Sequence, residues 1–272
     1  MSATGLTEAE KEVYDRVGLV EPNWHLPDDM LKNMQDSAER LIAARSDLRP
    51  EFIPLPHVPW DESEEAQKLA TEFLGYATDP RILDLVESVI GPDIIFWTAA
   101  LFCKPPGDGM ELPWHQDGQY WPIEPPATVT VWIALDPADV GNGSMRYIPG
   151  SHKQGYFKHS TSDREDVTLN VMVDDPEFDD STACNVTLQP GEVSVHDVYL
   201  VHGSVANCSD RRRSGLTLRY MPSTAHYNRD KLMDGGSLRT PVEFGNRPIW
   251  LARGQDRCGK NDFTTGHRSN DI

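Results

Sequence analysis

The chain has few cysteines, and their positions form no zinc-binding pattern. Four occur among 272 residues, and no two have the C-x-x-C spacing of a zinc site. We therefore expect free thiols in a reducing compartment, the cytoplasm. The N-terminus lacks the basic and apolar regions of a secretory signal, which favours the same compartment. Apolar runs are far shorter than a bilayer requires, so no membrane partner is expected.

Basic residues are also scarce. The chain has 25 lysines and arginines against 43 aspartates and glutamates, a net charge of −18. Such a surface repels phosphate backbones and anionic lipids, so nucleic-acid binding is not expected. The acidic surplus mainly favours solubility, and an attraction for cationic substrates is the weaker interpretation. The sequence does not indicate an oligomeric state.

No linker and no internal repeat divides the chain, and its 38% of hydrophobic residues suffice for one substantial core. We predict one domain over 1–272, with a helical part over about 1–91, a β core over about 93–222 and a tail over about 223–272. Apolar residues at helical spacing indicate the first part. Beyond it, short β-rich segments bounded by turn residues predict many strands in a sandwich or jelly roll.

The stretch 156–184 lies between predicted strands and is acidic and irregular. Its length predicts a loop over one mouth of the β core, and such loops commonly act as lids or contribute to binding. We expect this segment to be mobile without substrate and to cover the site when substrate binds.

The tripeptide His115-Gln116-Asp117 follows the first long predicted strand. Because residues i and i+2 of an extended chain point to the same side, His115 and Asp117 can reach one metal while Gln116 faces away. Two histidines and one carboxylate leave three open positions on Fe(II), enough for a co-substrate and O2. His202, after a later strand, is the best candidate for the third ligand. Alone, the tripeptide is weak evidence, because most histidines are structural.

Three consecutive arginines, Arg211 to Arg213, lead from His202 into another predicted strand. A buried arginine here can bind a carboxylate through two parallel hydrogen bonds. The alternative is a solvated basic run, which fits Arg211 and Arg212 better than Arg213. His196 could orient a metal ligand, although a buried structural histidine fits the pattern equally well.

Together these motifs resemble the phytanoyl-CoA dioxygenase family. The resemblance covers roughly 93–222 and includes His115-Gln116-Asp117, the run Asn142-Gly143-Ser144-Met145-Arg146-Tyr147-Ile148-Pro149-Gly150-Ser151-His152-Lys153, and His202-Gly203-Ser204 with an arginine eleven positions after His202. It implies a double-stranded β-helix (jelly roll, cupin-like) that uses Fe(II), 2-oxoglutarate and O2. It also implies that His115, Asp117 and His202 bind iron, that Arg213 binds the distal carboxylate of 2-oxoglutarate, and that Ser204 assists Arg213.

The resemblance further implies an oxidoreductase, a dioxygenase that hydroxylates an unactivated C–H of a small molecule and releases succinate and CO2. Desaturation, cyclisation and epimerisation with the same cofactors stay open. Halogenation is not expected, because Asp117 fills the iron position that chloride would need. An acyl-CoA fits poorly with so acidic a chain, so a small metabolite is predicted. A non-catalytic cupin-like binding protein is the alternative from another class, but it would have no need for Arg213.

Overall fold

A computed structural model describes residues 5–231 and 244–267. Within these ranges, four helices lie in the N-terminal third: α1 (Glu8–Val17), α2 (Asp28–Ala44), α3 (Glu64–Ala77) and α4 (Pro80–Ile90). The strands are β1 (Leu19–Val20), β2 (Ile53–Pro54), β3 (Ile94–Lys104), β4 (Leu112–His115), β5 (Ile123–Glu124), β6 (Val129–Ala134), β7 (Arg146–Tyr147), β8 (His159–Thr161), β9 (Val171–Val173), β10 (Cys184–Asn185), β11 (Val193–Asp197), β12 (His202–Ser204), β13 (Arg213–Pro222), β14 (His226–Tyr227) and β15 (Trp250–Arg253). The predicted class, mainly β with N-terminal helices, is confirmed.

Side chains that the sequence supplies cap three of the helices. Thr7 accepts a hydrogen bond from the Glu10 amide and Glu10 accepts one from the Thr7 amide, which is a capping box at the start of α1. Ser63 caps α3 and Asp79 caps α4, each through a side-chain oxygen that accepts a backbone N–H of the first turn. These bonds satisfy amides that have no partner inside the helix.

The larger sheet has the strand order β1-β11-β6-β13-β3-β15, and β2 pairs with the far side of β3. Its pairs are antiparallel, and β13 lies between β3 and β6. Leu216, Leu218 and Tyr220 of β13 belong to the same buried apolar cluster as residues of the four helices. Because side chains alternate along a strand, Arg213, Thr217 and Arg219 point to the opposite face of this sheet.

The smaller sheet has the order β10-β7-β12-β4 and is also antiparallel. Its strands β4 and β12 bring His115 and His202 opposite each other as Cα partners. The ring of His202 lies 4.9 Å from that of His196 on the larger sheet, measured between centroids. The facing sides of the two sheets therefore meet at these histidines.

The segment 156–184 is more regular than the sequence indicated. It contains the antiparallel hairpin β8–β9, in which Val171–Val173 pairs with His159–Thr161. Thr168 donates its amide proton to the Glu111 carbonyl at 2.8 Å, and the stretch 168–170 lines the main cavity. The contact of 168–170 with the cavity agrees with the predicted loop over the site, whereas the predicted irregularity was wrong, because two short stretches of the segment pair with each other.

The predicted tail contributes to the larger sheet, since β15 pairs with β3. Trp250 of β15 packs against the apolar cluster of the sheet and helices. Parts of this tail, 232–243 and 268–272, lie outside the described residues. Among the helices described, none combines the length and the apolar character needed to cross a membrane.

Candidate active site

The three predicted metal ligands come together in one buried cluster. His115 ends β4, Asp117 opens a 3-10 turn over Asp117–Tyr120, and His202 begins β12. One nitrogen or oxygen atom from each residue lies within 4.8 Å of those of the other two. The side chains are no more than 5% exposed. Pairing of β4 with β12 places two ligands opposite each other, and the turn after β4 brings in the carboxylate.

Hydrogen bonds orient the two imidazoles. Nδ1 of His115 donates to the Pro113 carbonyl at 2.8 Å, and Nδ1 of His202 donates to the Leu200 carbonyl at 3.0 Å. In a neutral imidazole held in this way Nε2 carries the free lone pair, the form that coordinates metals. Nε2 of His115 lies 3.7 Å from Oδ1 of Asp117, so the donor atoms face a common point.

The second carboxylate oxygen of Asp117 is held from the other side. Oδ2 lies 3.4 Å from both the Thr130 hydroxyl and Nε of Arg219. Burial alone raises the pKa of Asp117, but Arg219 and the neighbouring histidines outweigh burial and hold this pKa well below its usual range. Burial and the neighbouring His115 lower the pKa of His202 well below its usual range. An ionised Asp117 carboxylate beside a neutral His202 imidazole is the protonation state that a divalent metal needs.

Gln116 faces away from the cluster, as predicted. Its side-chain amide donates to the carbonyls of Gly155 and Tyr199 at 2.7 and 2.6 Å, and its carbonyl accepts the Phe157 amide at 2.8 Å. Its backbone amide donates to Nε2 of His159, at the base of the β8–β9 hairpin, at 3.2 Å. The turn that carries two of the three clustered residues is thereby tied to the segment that covers the cavity.

His196 adjoins the cluster. It is 2% exposed, and its Nε2 lies 3.8 Å from Oδ2 of Asp117. Neither ring nitrogen has a hydrogen-bond partner among the described residues. The contact with the outer carboxylate oxygen fits the orienting role that the sequence left open for this histidine.

The three consecutive arginines have different environments. Arg211 pairs with Asp139 through two contacts of 2.9 Å, and Arg212 pairs with both Asp136 and Glu39. Arg211 is exposed, as the solvated alternative predicts, and Arg212 is half-buried, and the chain after β6 brings an aspartate next to each of them. Arg213 is 4% exposed and lines the main cavity, and its Nε has no hydrogen-bond partner among the described residues.

The cavity places polar and aromatic side chains around Arg213. Ser204, the other predicted co-substrate residue, is buried there, and its hydroxyl lacks a hydrogen-bond partner within the described chain. The guanidinium carbon of Arg213 lies 5.7 Å from the centre of the Trp132 ring. Gly215 makes room for that ring, because a Cβ at this position would lie 2.1 Å from Cζ2 of Trp132.

Sequence reasoning missed Lys104, which is the Cα partner of Arg213 across β3 and β13. It is 3% exposed, and its ammonium donates to the backbone carbonyls of Ser204 and Val205. Burial lowers the pKa of Lys104 to about 6. A lysine ending an otherwise apolar strand was the available signal, but only strand pairing assigns it to Arg213.

Sequence reasoning also missed two arginines in the same cavity. Arg219 holds the outer oxygen of Asp117, and Arg247 donates from Nη1 to the Thr98 hydroxyl at 3.3 Å. Both line the cavity together with the three clustered residues and Arg213. Neither belongs to a motif in the sequence, so no local pattern indicated them.

The phytanoyl-CoA dioxygenase (PhyH) family model matches residues 14–215. The peroxisomal phytanoyl-CoA dioxygenase of Bos taurus is 30% identical over 162 residues, which are 57% of this chain and 48% of the relative, so the match spans about half the relative's length. The non-heme monooxygenase ThoJ, solved without ligand, is 25% identical with a TM-score of 0.66, covering 90% of this chain and 84% of that one. The carbocyclase SnoK from nogalamycin biosynthesis is 22% identical with a TM-score of 0.68, covering 89% of this chain and 96% of its own, a likeness of fold. Because the family model spans well over half of the residues, this chain belongs to the phytanoyl-CoA dioxygenase family.

Proposed function

We propose that this protein is an Fe(II)- and 2-oxoglutarate-dependent dioxygenase that hydroxylates an unactivated C–H of a small molecule. The observation that carries the proposal is one cavity lined by His115, Asp117 and His202 and, further along, by buried Arg213. A metal cluster alone would suit several chemistries. A metal cluster with a buried cation in the same cavity suits a co-substrate that chelates the metal at one end and carries a carboxylate at the other.

The donor set fits iron. Two imidazoles and one carboxylate on one side of a metal would leave positions for a co-substrate and O2. Thr130 and Arg219 hold Oδ2 of Asp117 and leave Oδ1 to face the imidazoles. In the proposed enzyme these bonds fix the carboxylate as a ligand through a single oxygen.

The residues around Arg213 fit the distal carboxylate of 2-oxoglutarate. Nε of Arg213 and the Ser204 hydroxyl are buried donors without partners in the described part of the chain, and such groups cost free energy unless a ligand satisfies them. A carboxylate can accept from both. Lys104, the Cα partner of Arg213, donates to the Ser204 backbone carbonyl and so supports this part of the cavity.

The bound iron and 2-oxoglutarate supply an oxidant for C–H bonds, with release of succinate and CO2. The chain positions and shields the reactants. Arg213 and Ser204 hold the co-substrate, the two sheets and the segment 168–170 enclose it, and burial excludes water from the reacting atoms.

We further propose that the two facing sheets form a double-stranded β-helix and that 1–272 is one oxygenase domain. All four cysteines are free thiols, which supports the proposed reducing compartment, the cytoplasm. The bovine relative is peroxisomal by name. The expected partner is a small-molecule substrate.

A second candidate outcome is cyclisation or epimerisation with the same cofactors. The fold neighbour SnoK is a carbocyclase. A non-catalytic binding protein is less well supported, because it would not need both a buried cluster of metal-ligating residues and the buried donors of Arg213 and Ser204 in one cavity.

Anaerobic addition of Fe(II) and then 2-oxoglutarate tests the proposal. A weak visible charge-transfer band is expected for the wild-type protein and for Arg211→Gln, a surface-charge control, and not for His202→Ala. Succinate formation is then measured on admission of air, with a panel of metabolites. Absence of both the band and succinate in the wild-type protein would refute the proposed function, and product analysis distinguishes hydroxylation from cyclisation or epimerisation.

A further inference from the structure

We propose that the substrate carries an anionic oxygen group, a carboxylate or a phosphate, and that Arg219 and Arg247 bind it at the end of the cavity opposite Arg213. This inference rests on the proposed function, because it assumes that Arg213 is occupied by 2-oxoglutarate. It names a chemical class for the substrate of this chain.

The cavity differs in charge from the chain as a whole. Among the described residues that line it, the cations are the guanidinium groups of Arg213, Arg219 and Arg247, while the carboxylates are Asp117 and Glu51. Glu51 is paired with Arg49 at 2.6 Å. A chain with a net charge of −18 therefore encloses a cavity in which cations outnumber carboxylates, and such a cavity attracts anions.

The basic residues of the cavity form two groups along the sheet. Arg213 and Arg219 lie on the same face of β13, six residues apart, which is about 20 Å along a strand at about 3.3 Å per residue. Lys104 is the Cα partner of Arg213, and Thr98 is the Cα partner of Arg219. Arg247 reaches the Thr98 hydroxyl at 3.3 Å. One pair is thus placed for the co-substrate and the other for a second molecule.

Aromatic rings hold the guanidinium groups of the second pair. The guanidinium carbon of Arg219 lies 5.3 Å from the centre of the Trp121 ring, and that of Arg247 lies 4.6 Å from Phe244 and 5.6 Å from Trp97. A guanidinium stacked on a ring keeps its N–H groups in the plane, where they can donate in parallel to two oxygens of an anion. The same rings offer an apolar surface for the rest of the substrate.

Arg219 also connects the anion to the metal cluster. Its Nε contacts Oδ2 of Asp117 at 3.4 Å and its Nη1 contacts the Thr217 hydroxyl at 3.3 Å, while Nη2 makes no hydrogen bond to any part of the chain that the structure describes. In the loaded enzyme the charges of Fe(II), Asp117, 2-oxoglutarate and Arg213 cancel. Arg219 then adds a buried positive charge next to the metal, and an anionic substrate would neutralise it.

Matched ligand pairs test this on the wild-type protein. Butyrate, hexanoate and 3-phenylpropionate, each with its own amide, are titrated by calorimetry into protein loaded with Zn²⁺ and 2-oxoglutarate, which cannot turn over. The phosphate ester 2-phenylethyl phosphate and the cation 2-phenylethylammonium complete the set. At least one anion should bind about tenfold or more tightly than its neutral counterpart, as expected for a charge-assisted contact. The phosphate arm distinguishes the two kinds of anion. If no anion binds better than the neutral or cationic compounds, the proposal is refuted.

Variants locate the anion site. Arg247→Gln should weaken the best anion about tenfold or more and leave the affinity of its amide unchanged, and Arg247→Lys should restore part of the loss. Arg211→Gln, which removes the same charge from an exposed position, should change neither affinity. If Arg247→Gln does not fold, the ligand pairs and Arg247→Lys still decide. A protein that forms the Fe(II)–2-oxoglutarate band but does not prefer anions refutes this inference alone. A protein that prefers anions but gives neither the band nor succinate refutes the proposed oxygenase function.

Discussion

Replacing Arg213 by methionine should separate the stability of the protein from its affinity for 2-oxoglutarate. The side chain is 4% exposed, and burial lowers the pKa of Arg213 to about 10. A buried cation without a carboxylate partner costs free energy in the ligand-free fold. Arg213→Met removes that charge and keeps much of the volume, so the free energy of unfolding of the ligand-free protein should stay the same or rise.

Co-substrate affinity should fall steeply in the same variant. The distal carboxylate of 2-oxoglutarate would lose its charge-assisted hydrogen bonds from Arg213, and removing one partner of a buried ion pair costs about 3–5 kcal/mol. Since about 1.4 kcal/mol corresponds to a factor of ten, the apparent constant for 2-oxoglutarate should rise at least ~100-fold. Arg213→Lys should rescue poorly, because an ammonium lacks the planar fork.

Denaturation with and without ligand measures both effects. At a 2-oxoglutarate concentration ~100 times the wild-type dissociation constant, bound ligand adds about 2.7 kcal/mol to the wild-type free energy of unfolding, and about 0.4 kcal/mol to a variant that binds ~100-fold more weakly. Zn²⁺ replaces iron to prevent turnover. Arg211→Ala is the control, because Arg211 pairs with Asp139 outside the cavity. Undiminished stabilisation of Arg213→Met by 2-oxoglutarate would refute the reasoning, as would its loss in Arg211→Ala.

Four further outcomes are expected. His202→Ala should fold but bind little iron after anaerobic loading, and full iron content would disprove its role as a ligand. Gly215→Ala should push Trp132 into the cavity and raise the 2-oxoglutarate constant several-fold, since the added Cβ would lie 2.1 Å from the ring; an unchanged constant would mean that the ring has room to move. At pH 8, Lys104 should be neutral, because its pKa is lowered to about 6. The carboxylate of bound 2-oxoglutarate should raise that pKa, so binding should take up protons. Calorimetry in two buffers of different ionisation enthalpy measures this uptake, and Lys104→Met should abolish it. Amide hydrogen exchange in 156–184 should slow when substrate binds, and equal rates with and without substrate would count against a lid.

The net charge of the chain was a poor guide to its cavity. A net charge of −18 argued against substrates that carry phosphate, and it describes the surface, where most of the carboxylates lie. Inside, β3 pairs with β13 in the larger sheet, and Lys104, Arg213 and Arg219 of these strands line the cavity. Acidity of the surface therefore gives no reason to exclude an anionic substrate.

Several features were predictable from the sequence because short-range geometry determines them. The spacing of His115 and Asp117 places both side chains on one side of an extended chain, and Gln116 on the other. The cap of α1 requires only Thr7 and Glu10, three residues apart.

Other features depended on which distant strands pair, and in what register. Pairing of β13 with β3 brings Lys104 to Arg213 and Thr98 to Arg219, across about a hundred residues of chain. The same packing gives Arg212 its aspartate partner and brings Arg247 from beyond β14 to the cavity. Such contacts arise from the burial of apolar faces between sheets and helices, which selects one register among many that local propensity allows. The motif for a metal was therefore legible in the sequence, whereas the charge of the cavity around it was decided only by the tertiary structure.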